Sequence, residues 1–220
     1  LRGCINLEGL PTQIGQLRAL TDLSLDGCTG LKALPAEIEH LQVLKFLDLC
    51  DCTNLEVLPV EIGQLRSLVS LSLRRCNLEA LPEEIGHLSA LESLYMDDCT
   101  VRALPATIGQ LSALVVWSMR DCIRLEALPP EIGHLRALRH LCLDGCTRLK
   151  TLPREIAELT VLAYLYLDGT GLENPPPKVW RCGTWMPGGR ADVAAIRKYI
   201  HAKKAPKSAT QRKSVKNLND

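Results

Sequence analysis

The stretch from Leu44 to Ser67, LKFLDLCDCTNLEVLPVEIGQLRS, contains the pattern that decides the fold. Its first half alternates leucine with polar residues around Leu47 and Leu49, which predicts a short strand with one buried face. Its second half, LPVEIGQL, has a proline where a helical turn can begin and a glycine that disfavours a long helix. This half therefore predicts a single α or 3₁₀ turn.

The same unit recurs along most of the chain. Successive units are 24, 24, 23, 23, 24 and 24 residues apart and share the consensus LxxLxLxxCxxLxxLPxxIGxLxx. The leucines that open them are Leu20, Leu44, Leu68, Leu91, Leu114, Leu138 and Leu162. The shorter units lack one residue after the cysteine, where a turn can absorb the deletion and a strand could not without reversing its faces.

A single unit cannot bury its own leucines. Ordering each residue costs about 1–2 kcal/mol, and a buried leucine returns only about 1.5–3 kcal/mol, so units must stack. Stacking predicts an α/β solenoid of about seven to eight repeats, with parallel strands on a concave face and short α or 3₁₀ turns on a convex face.

Residues 1 to 175 resemble the leucine-rich repeat family. The LPxxIGxLxxL half resembles intracellular Ras-group scaffolds, and the LxLxxCxxLxxLP half is similar to plant nucleotide-binding disease-resistance proteins. The LxGxIP pattern typical of extracellular plant receptor kinases is absent from the sequence. The resemblance therefore implies an intracellular, cytoplasmic protein with a role in signalling or plant defence.

Composition changes toward the C-terminus define three expected segments. The solenoid is expected over residues 1–174, a cap with a short amphipathic helix over 175–200, and a basic disordered tail or linker over 201–220. The helix pattern is formed by Val193, Ile196 and Ile200. The ending resembles that of Ras-group scaffolds and Roco GTPases, with TWMPGG as an insertion.

The N-terminus begins in the middle of a strand. Leu1 aligns with the second leucine of the LxL pattern, so the solenoid is expected to be truncated at its N-terminus. We expect the first rung, with Leu1, Ile5 and Leu7, to be unstable unless upstream repeats or a second copy of the chain cover it. Self-association through this edge is one expected consequence.

Charge and hydropathy exclude two classes of partner. The formal net charge is +1, and residues 201 to 220 contribute +5, which leaves −4 for residues 1 to 200. A slight negative net charge over residues 1 to 200 is not typical of a fold that binds nucleic acid specifically. No apolar run reaches about 18 residues, so no membrane span is expected. The basic tail leaves open a nuclear signal or a contact with an anionic surface.

Seven of the ten cysteines occupy one position of the repeat. They are Cys4, Cys28, Cys52, Cys76, Cys99, Cys122 and Cys146. The family resemblance implies that this side chain points inward and satisfies backbone groups of the adjacent turn, so we expect a structural cysteine ladder. Equivalent residues on neighbouring rungs lie about 4.7–4.9 Å apart with parallel side chains, a poor geometry for disulfides.

The other cysteines leave two readings open. Cys142 is expected on the exposed face of its strand beside His140, Cys50 at the next outward position, and Cys182 beyond the repeats. Each is a small tolerated side chain or a reactive thiol, and His140 is the only evident base near Cys142. His140 and Cys142 cannot converge with the inward Cys146, so no metal site is expected.

Equivalent outward-facing positions in and beside the LxL pattern form columns across the concave face, and their residues indicate a binding surface. Four of the eight aromatic residues fall in these columns, together with arginines, although tyrosine and phenylalanine also simply suit strands. The expected partner-binding residues are Phe46, Arg74, Arg75, Tyr95, Asp97, Arg120, His140, Tyr164 and Tyr166.

Catalytic signatures are absent from the sequence. It contains no GxxxxGK[ST], HExxH or GxSxG motif, so we expect neither an enzyme nor a cofactor. The expected function is a scaffold that recognises a protein partner on its concave face. The family resemblance suggests a small GTPase, an immune effector or an intramolecular switch domain as the partner. The alternatives are the repeat portion of a multidomain enzyme, such as a Roco GTPase or kinase, and a self-assembling structural protein.

Overall fold

Seven short parallel strands form one sheet, in the order in which they occur along the chain. The structure is a computed structural model that describes residues 1–175 and 191–204. The strands are β1 (Asp22–Ser24), β2 (Phe46–Asp48), β3 (Ser70–Ser72), β4 (Ser93–Tyr95), β5 (Val116–Ser118), β6 (His140–Cys142) and β7 (Tyr164–Tyr166). Their register places Leu23, Leu47 and Leu71 side by side, as the leucine spacing predicts.

A five-residue 3₁₀ helix lies on the convex side of each rung. These helices are η1 (Thr12–Gln16), η2 (Ala36–His40), η3 (Val60–Gln64), η4 (Glu83–His87), η5 (Ala106–Gln110), η6 (Pro130–His134) and η7 (Arg154–Glu158). A proline in extended conformation immediately precedes each one; at Pro105, for example, φ is −67° and ψ is 149°. Strands on one side and helical turns on the other form the predicted solenoid.

The glycine of the convex helices has a steric role. A Cβ placed on Gly109 would lie 2.4 Å from the carbonyl oxygen of Glu131 on the next rung. No side chain fits there at the spacing of these two rungs, whereas η2 has Glu39 at the equivalent position. The sequence explained this residue only as a helix breaker, because the neighbour that excludes a side chain is 22 residues further along the chain.

The core is a continuous stack of leucine and isoleucine side chains between the two sides of the solenoid. Trp117 and Met119 take two leucine positions and are fully buried. The Trp117 Nε1 is buried without a hydrogen-bond partner among the described residues. Each rung therefore contributes its apolar side chains to one shared core, which is the reason that isolated repeats cannot be stable.

The turn between each strand and its ladder cysteine contains a residue with positive φ. Glycine fills this position in some rungs, such as Gly145 at φ 73°, while Asp51, Arg75, Asp98 and Asp121 adopt φ values of 56–58°. Positive φ is an uncommon conformation for residues other than glycine, and aspartate tolerates it better than most. The left-handed turn gives six rungs the same path into a buried cysteine, and Thr170 takes that place after β7.

A helix, α1 (Val193–Lys204), packs beside the last rung. Its Ile196 and Ile200 are buried, and Tyr199 donates a hydrogen bond to Asn174 Oδ1 at 3.0 Å. The expected TWMPGG insertion, Cys182 and most of the expected basic tail lie outside the described residues. Within the described ranges, no helix has both the length and the apolar character needed to cross a bilayer.

Candidate functional site

The aromatic side chains of the concave face are partly embedded in it. Phe46 is 47% exposed, while Tyr95, Tyr164 and Tyr166 are half-buried. His140 stacks on Tyr164 with ring centroids 4.4 Å apart and an interplanar angle of 6°. Phe46 thus stands out from rung β2, and a flat aromatic surface lies across β6 and β7.

Arg74 is held between an aromatic ring and a carboxylate on the neighbouring rung. Its Cζ lies 4.4 Å from the centroid of the Tyr95 ring, within range of a cation–π interaction. Its Nε donates to Asp97 Oδ2 at 2.9 Å. Two contacts on one rung therefore fix the plane of this guanidinium, although the side chain remains 44% exposed.

Arg120, two rungs further on, makes a related pair of contacts, but its carboxylate partner follows β6 and its aromatic partner ends β7. Its Nε donates to Asp144 Oδ2 at 3.3 Å, and its Cζ lies 5.8 Å from the Tyr166 ring centroid. The side chain is 50% exposed. We call these two groups the clamps. The first consists of Arg74, Tyr95 and Asp97, and the second consists of Arg120, Tyr166 and Asp144.

The aspartates of the clamps are anchored by the backbone of the following rung. Asp97 Oδ1 accepts the amide N–H of Arg120 at 2.9 Å and the hydroxyl of Ser118, and Asp144 Oδ1 accepts the amide N–H of Asp168 at 3.2 Å. The side chain of Asp97 is only 15% exposed. Asp97 is one of the expected partner-binding residues, and its carboxylate lies where it positions Arg74.

Arg75 leans in the opposite direction from Arg74. It donates Nε and Nη2 to the two carboxylate oxygens of Asp51 on the preceding rung. This pair lowers the pKa of Asp51, mainly through the hydrogen bonds. The ligand atoms of Asp26, Cys50 and Asp51 all lie within 4.8 Å of one another, and the Arg75 guanidinium already supplies the positive charge beside them.

The expected exposure of Cys142 was wrong. The residue is only 7% exposed, because the Arg120 guanidinium lies over it with Nη2 3.7 Å from Sγ. Burial raises the pKa of the thiol, and Arg120 offsets only part of that effect. Burial and the Asp51 carboxylate likewise raise the pKa of the half-buried Cys50. Neither environment activates a thiol, since the thiolate is the reactive form.

The cysteines of the repeat position point into the core and connect adjacent rungs. The Sγ of Cys99 lies 3.0 Å from the carbonyl oxygen of Leu73, which also accepts the amide of Cys76. The Sγ atoms of Cys28, Cys52, Cys76, Cys122 and Cys146 make the equivalent contact at 2.9–3.3 Å. Burial raises the pKa of Cys52 to about 12. Cys4 is partly buried and makes only a local contact, with Arg2 O at 3.9 Å.

Asp51, Asp144 and Ser118 were expected on the concave face but not among its binding residues, and the structure makes them members of the hydrogen-bond network there. All three follow or end a strand one rung away from the residue they contact. A rung-by-rung alignment places Arg74 beside Asp97 and Arg120 beside Asp144 at one repeat position. That juxtaposition was a usable signal for the clamps.

Comparisons with known proteins agree with this architecture. A leucine-rich repeat region model matches residues 70–143. The leucine-rich repeat domain of the type III effector XopL is similar at 28% identity and a TM-score of 0.58, over 74% of this chain and 66% of that domain. No curated protein sequence matches the chain.

Two receptor structures share the fold. A TDR receptor is 24% identical with a TM-score of 0.57, over 76% of this chain and 30% of that one. The Arabidopsis receptor kinase HAESA, solved in complex with the peptide hormone IDA and the co-receptor SERK1, is 23% identical with a TM-score of 0.55, over 76% of this chain and 33% of that one. The chain thus spans about two thirds of the effector domain and about a third of each receptor.

The sheet order, the rung period and these matches define the class of protein. It is a solenoid whose strands present one continuous face to solvent. The chain has the leucine-rich repeat fold.

Proposed function

We propose that this protein is a non-catalytic recognition module that binds a protein partner on its concave face. The observation that carries the proposal is the pair of clamps. Arginine and tyrosine are among the side chains most enriched at binding hot spots, and here both are fixed in place before any partner arrives. Fixing them in advance reduces the entropy lost on binding.

Several features support an intracellular setting. All nine cysteines in the described ranges are free thiols, as expected of a reducing compartment. The LPxxIGxL half of the repeat resembles that of intracellular scaffolds. We propose a signalling or plant-defence-like context, in which the partner is a small GTPase, an immune effector or a switch domain of the same polypeptide.

Site-specific photo-crosslinking tests the choice of face. A photoreactive phenylalanine analogue at Tyr95 is expected to capture a protein partner, whereas the same analogue at Gln64, exposed on the convex side, is not. The captured protein is then purified and its affinity measured directly. The double variant Tyr95→Ala/Tyr166→Ala should lose at least about tenfold in affinity, because large hot-spot residues contribute 2 kcal/mol or more.

The control is Gln64→Ala, which removes an exposed side chain from the opposite side of the solenoid. It should leave the affinity unchanged. An unchanged affinity for the double tyrosine variant, with a loss for Gln64→Ala, would move the binding surface to the convex side.

A further inference from the structure

The two clamps leave specific hydrogen-bond donors directed away from the protein. In the part of the chain that the structure describes, Arg74 uses only its Nε, and its two terminal nitrogens have no acceptor. Arg120 uses Nε and one terminal nitrogen, the latter for a long contact with Cys142 Sγ. Each clamp therefore offers N–H groups beside the face of a tyrosine ring.

The charge of each clamp favours a neutral acceptor. Arg74 is paired with Asp97, and Arg120 with Asp144, so each clamp has no net charge. Exposed aspartates such as Asp98 and Asp121 lie in the adjacent turns. A carboxylate or phosphate bound here would be repelled by these aspartates, because both clamp arginines are already paired with a carboxylate. A backbone carbonyl can accept the same hydrogen bond without that repulsion.

The spacing of the clamps matches one backbone conformation. The guanidinium of Arg74 is held on rung β4 and that of Arg120 on rung β6, two strand spacings apart, or about 9.4–9.8 Å. A polyproline II helix advances about 3.1 Å per residue with three residues per turn, so carbonyls three residues apart share one side about 9.3 Å apart. In a β-strand, carbonyls three residues apart point in opposite directions.

We propose that the concave face binds an uncharged polyproline II segment of a partner, which runs along the solenoid axis. Arg74 and Arg120 donate to two of its carbonyl oxygens, three residues apart. Tyr95 and Tyr166 end β4 and β7, three rungs apart, so their rings pack against two different pyrrolidine rings of the segment, as aromatic residues do in other polyproline-binding grooves. This inference rests on the proposed function and specifies the chemistry of the segment that is recognised.

Fluorescence anisotropy with labelled synthetic peptides tests the inference. The probes are nonaproline, which forms a polyproline II helix, and nonaglutamate, each titrated with the full chain at low and high salt. Nonaproline should bind with an affinity that changes less than about twofold with salt, because no net charge is neutralised. Nonaglutamate should bind at least about tenfold more weakly than nonaproline, since the adjacent aspartates repel it.

Arginine-to-lysine variants connect this binding to the clamps. The double variant Arg74→Lys/Arg120→Lys keeps both charges, but the single nitrogen of an ammonium replaces the planar fork that pairs with aspartate on one edge and holds further N–H groups at a fixed distance on the other. Its affinity for nonaproline should fall at least about tenfold. Arg75→Lys is the matched control, since Arg75 lies beside Arg74 and is already bound at two nitrogens by Asp51. It should bind nonaproline within about twofold of the unmodified chain.

Three results would overturn the inference. The first is tight, salt-sensitive binding of nonaglutamate, which would identify the clamps as carboxylate receptors. The second is the absence of nonaproline binding. The third is an equal loss in the Arg75→Lys control. If nonaproline fails while crosslinking at Tyr95 captures a partner, the polyproline inference falls and concave-face recognition stands.

Discussion

At the scale of single residues, the ladder cysteines combine two properties in a small side chain. The thiol of Cys122 fills core volume, and its Sγ lies 3.0 Å from the carbonyl oxygen of Met96 on the preceding rung. A thiol is a weak hydrogen-bond donor and has a low desolvation cost. Cysteine can therefore occupy a position that faces both leucine side chains and backbone carbonyls.

Alkaline pH should destabilise the protein through these thiols. Burial raises the pKa values of Cys52, Cys122 and Cys146 to about 12, above the unfolded value of 9.0. Because the pKa of each thiol is higher in the folded than in the unfolded state, its contribution to the free energy of unfolding is fully present below pH 9. That contribution is lost as the pH rises toward 12. Each such thiol contributes a slope of about 1.4 kcal/mol per pH unit in this window.

Urea unfolding between pH 7 and 11 measures this slope. Cys52→Ala should make the alkaline loss less steep by the contribution of one thiol. A free energy of unfolding with the same alkaline slope in the unmodified chain and in Cys52→Ala would show that the buried thiol does not titrate as described.

Asp97 and its neighbour Asp98 are expected to differ in how much they contribute to stability. Asp97 accepts hydrogen bonds from Arg74, Arg120 and Ser118, whereas Asp98 is exposed in the turn. Asp97→Asn should lower the free energy of unfolding by about 1–3 kcal/mol, because hydrogen bonds to a charged acceptor are lost. Asp98→Asn should change it by less than about 0.5 kcal/mol. Equal effects in thermal unfolding would contradict the anchoring role of Asp97.

At the scale of elements, the convex helices stack more closely than their sequences suggest. In η1, η3, η4, η5 and η6 the backbone of the following helix approaches the glycine, as Glu131 approaches Gly109. Ala157 in η7 occupies the equivalent position where no further convex helix follows among the described residues. Glu39 takes this position in η2 although η3 follows it, so the close approach explains the glycine in the other five helices and does not require it in every rung.

Gly109→Ala tests this packing. The added Cβ would lie 2.4 Å from a backbone oxygen that cannot move without shifting a whole rung, so a loss of about 1–3 kcal/mol or more is expected. Gly9→Ala is the matched control, because a Cβ there meets no atom within 4 Å. Chemical denaturation of both variants should show a loss for Gly109→Ala alone. A similar stability for the two would show that the rungs can separate locally at little cost.

At the scale of the whole molecule, stability is expected to differ between rungs. Central rungs have a neighbour on each side, and their leucines are fully buried. Near the N-terminus, Leu1 and Ile5 are each 62% exposed and Leu17 is 51% exposed. Because a solenoid is stabilised by contacts between adjacent repeats, its least covered rung opens first.

Native-state hydrogen exchange should resolve this gradient. Amides of residues 1–20 are expected to exchange faster than those of residues 60–140 in the monomeric protein. A second copy bound at the N-terminal rung would protect residues 1–20 as the protein concentration rises. Equal protection of both regions in a dilute monomer would contradict the expected gradient.

The sequence by itself determined the repeat, the strand and the single helical turn of each unit, and the inward position of the leucines. These follow from periodicities of two and of about 24 residues, which are local properties of the chain. It also identified Arg74, Tyr95, Arg120 and Tyr166 as members of one face, since side chains alternate along a strand.

Only the tertiary structure decided how these residues combine. Arg74 and Arg75 are adjacent in sequence, yet one pairs with Asp97 on the following rung and the other with Asp51 on the preceding rung. Cys142 is covered by Arg120, 22 residues earlier. Each pairing depends on the direction in which a long side chain leans across the sheet. That direction is set by packing between rungs, which the local sequence pattern does not contain.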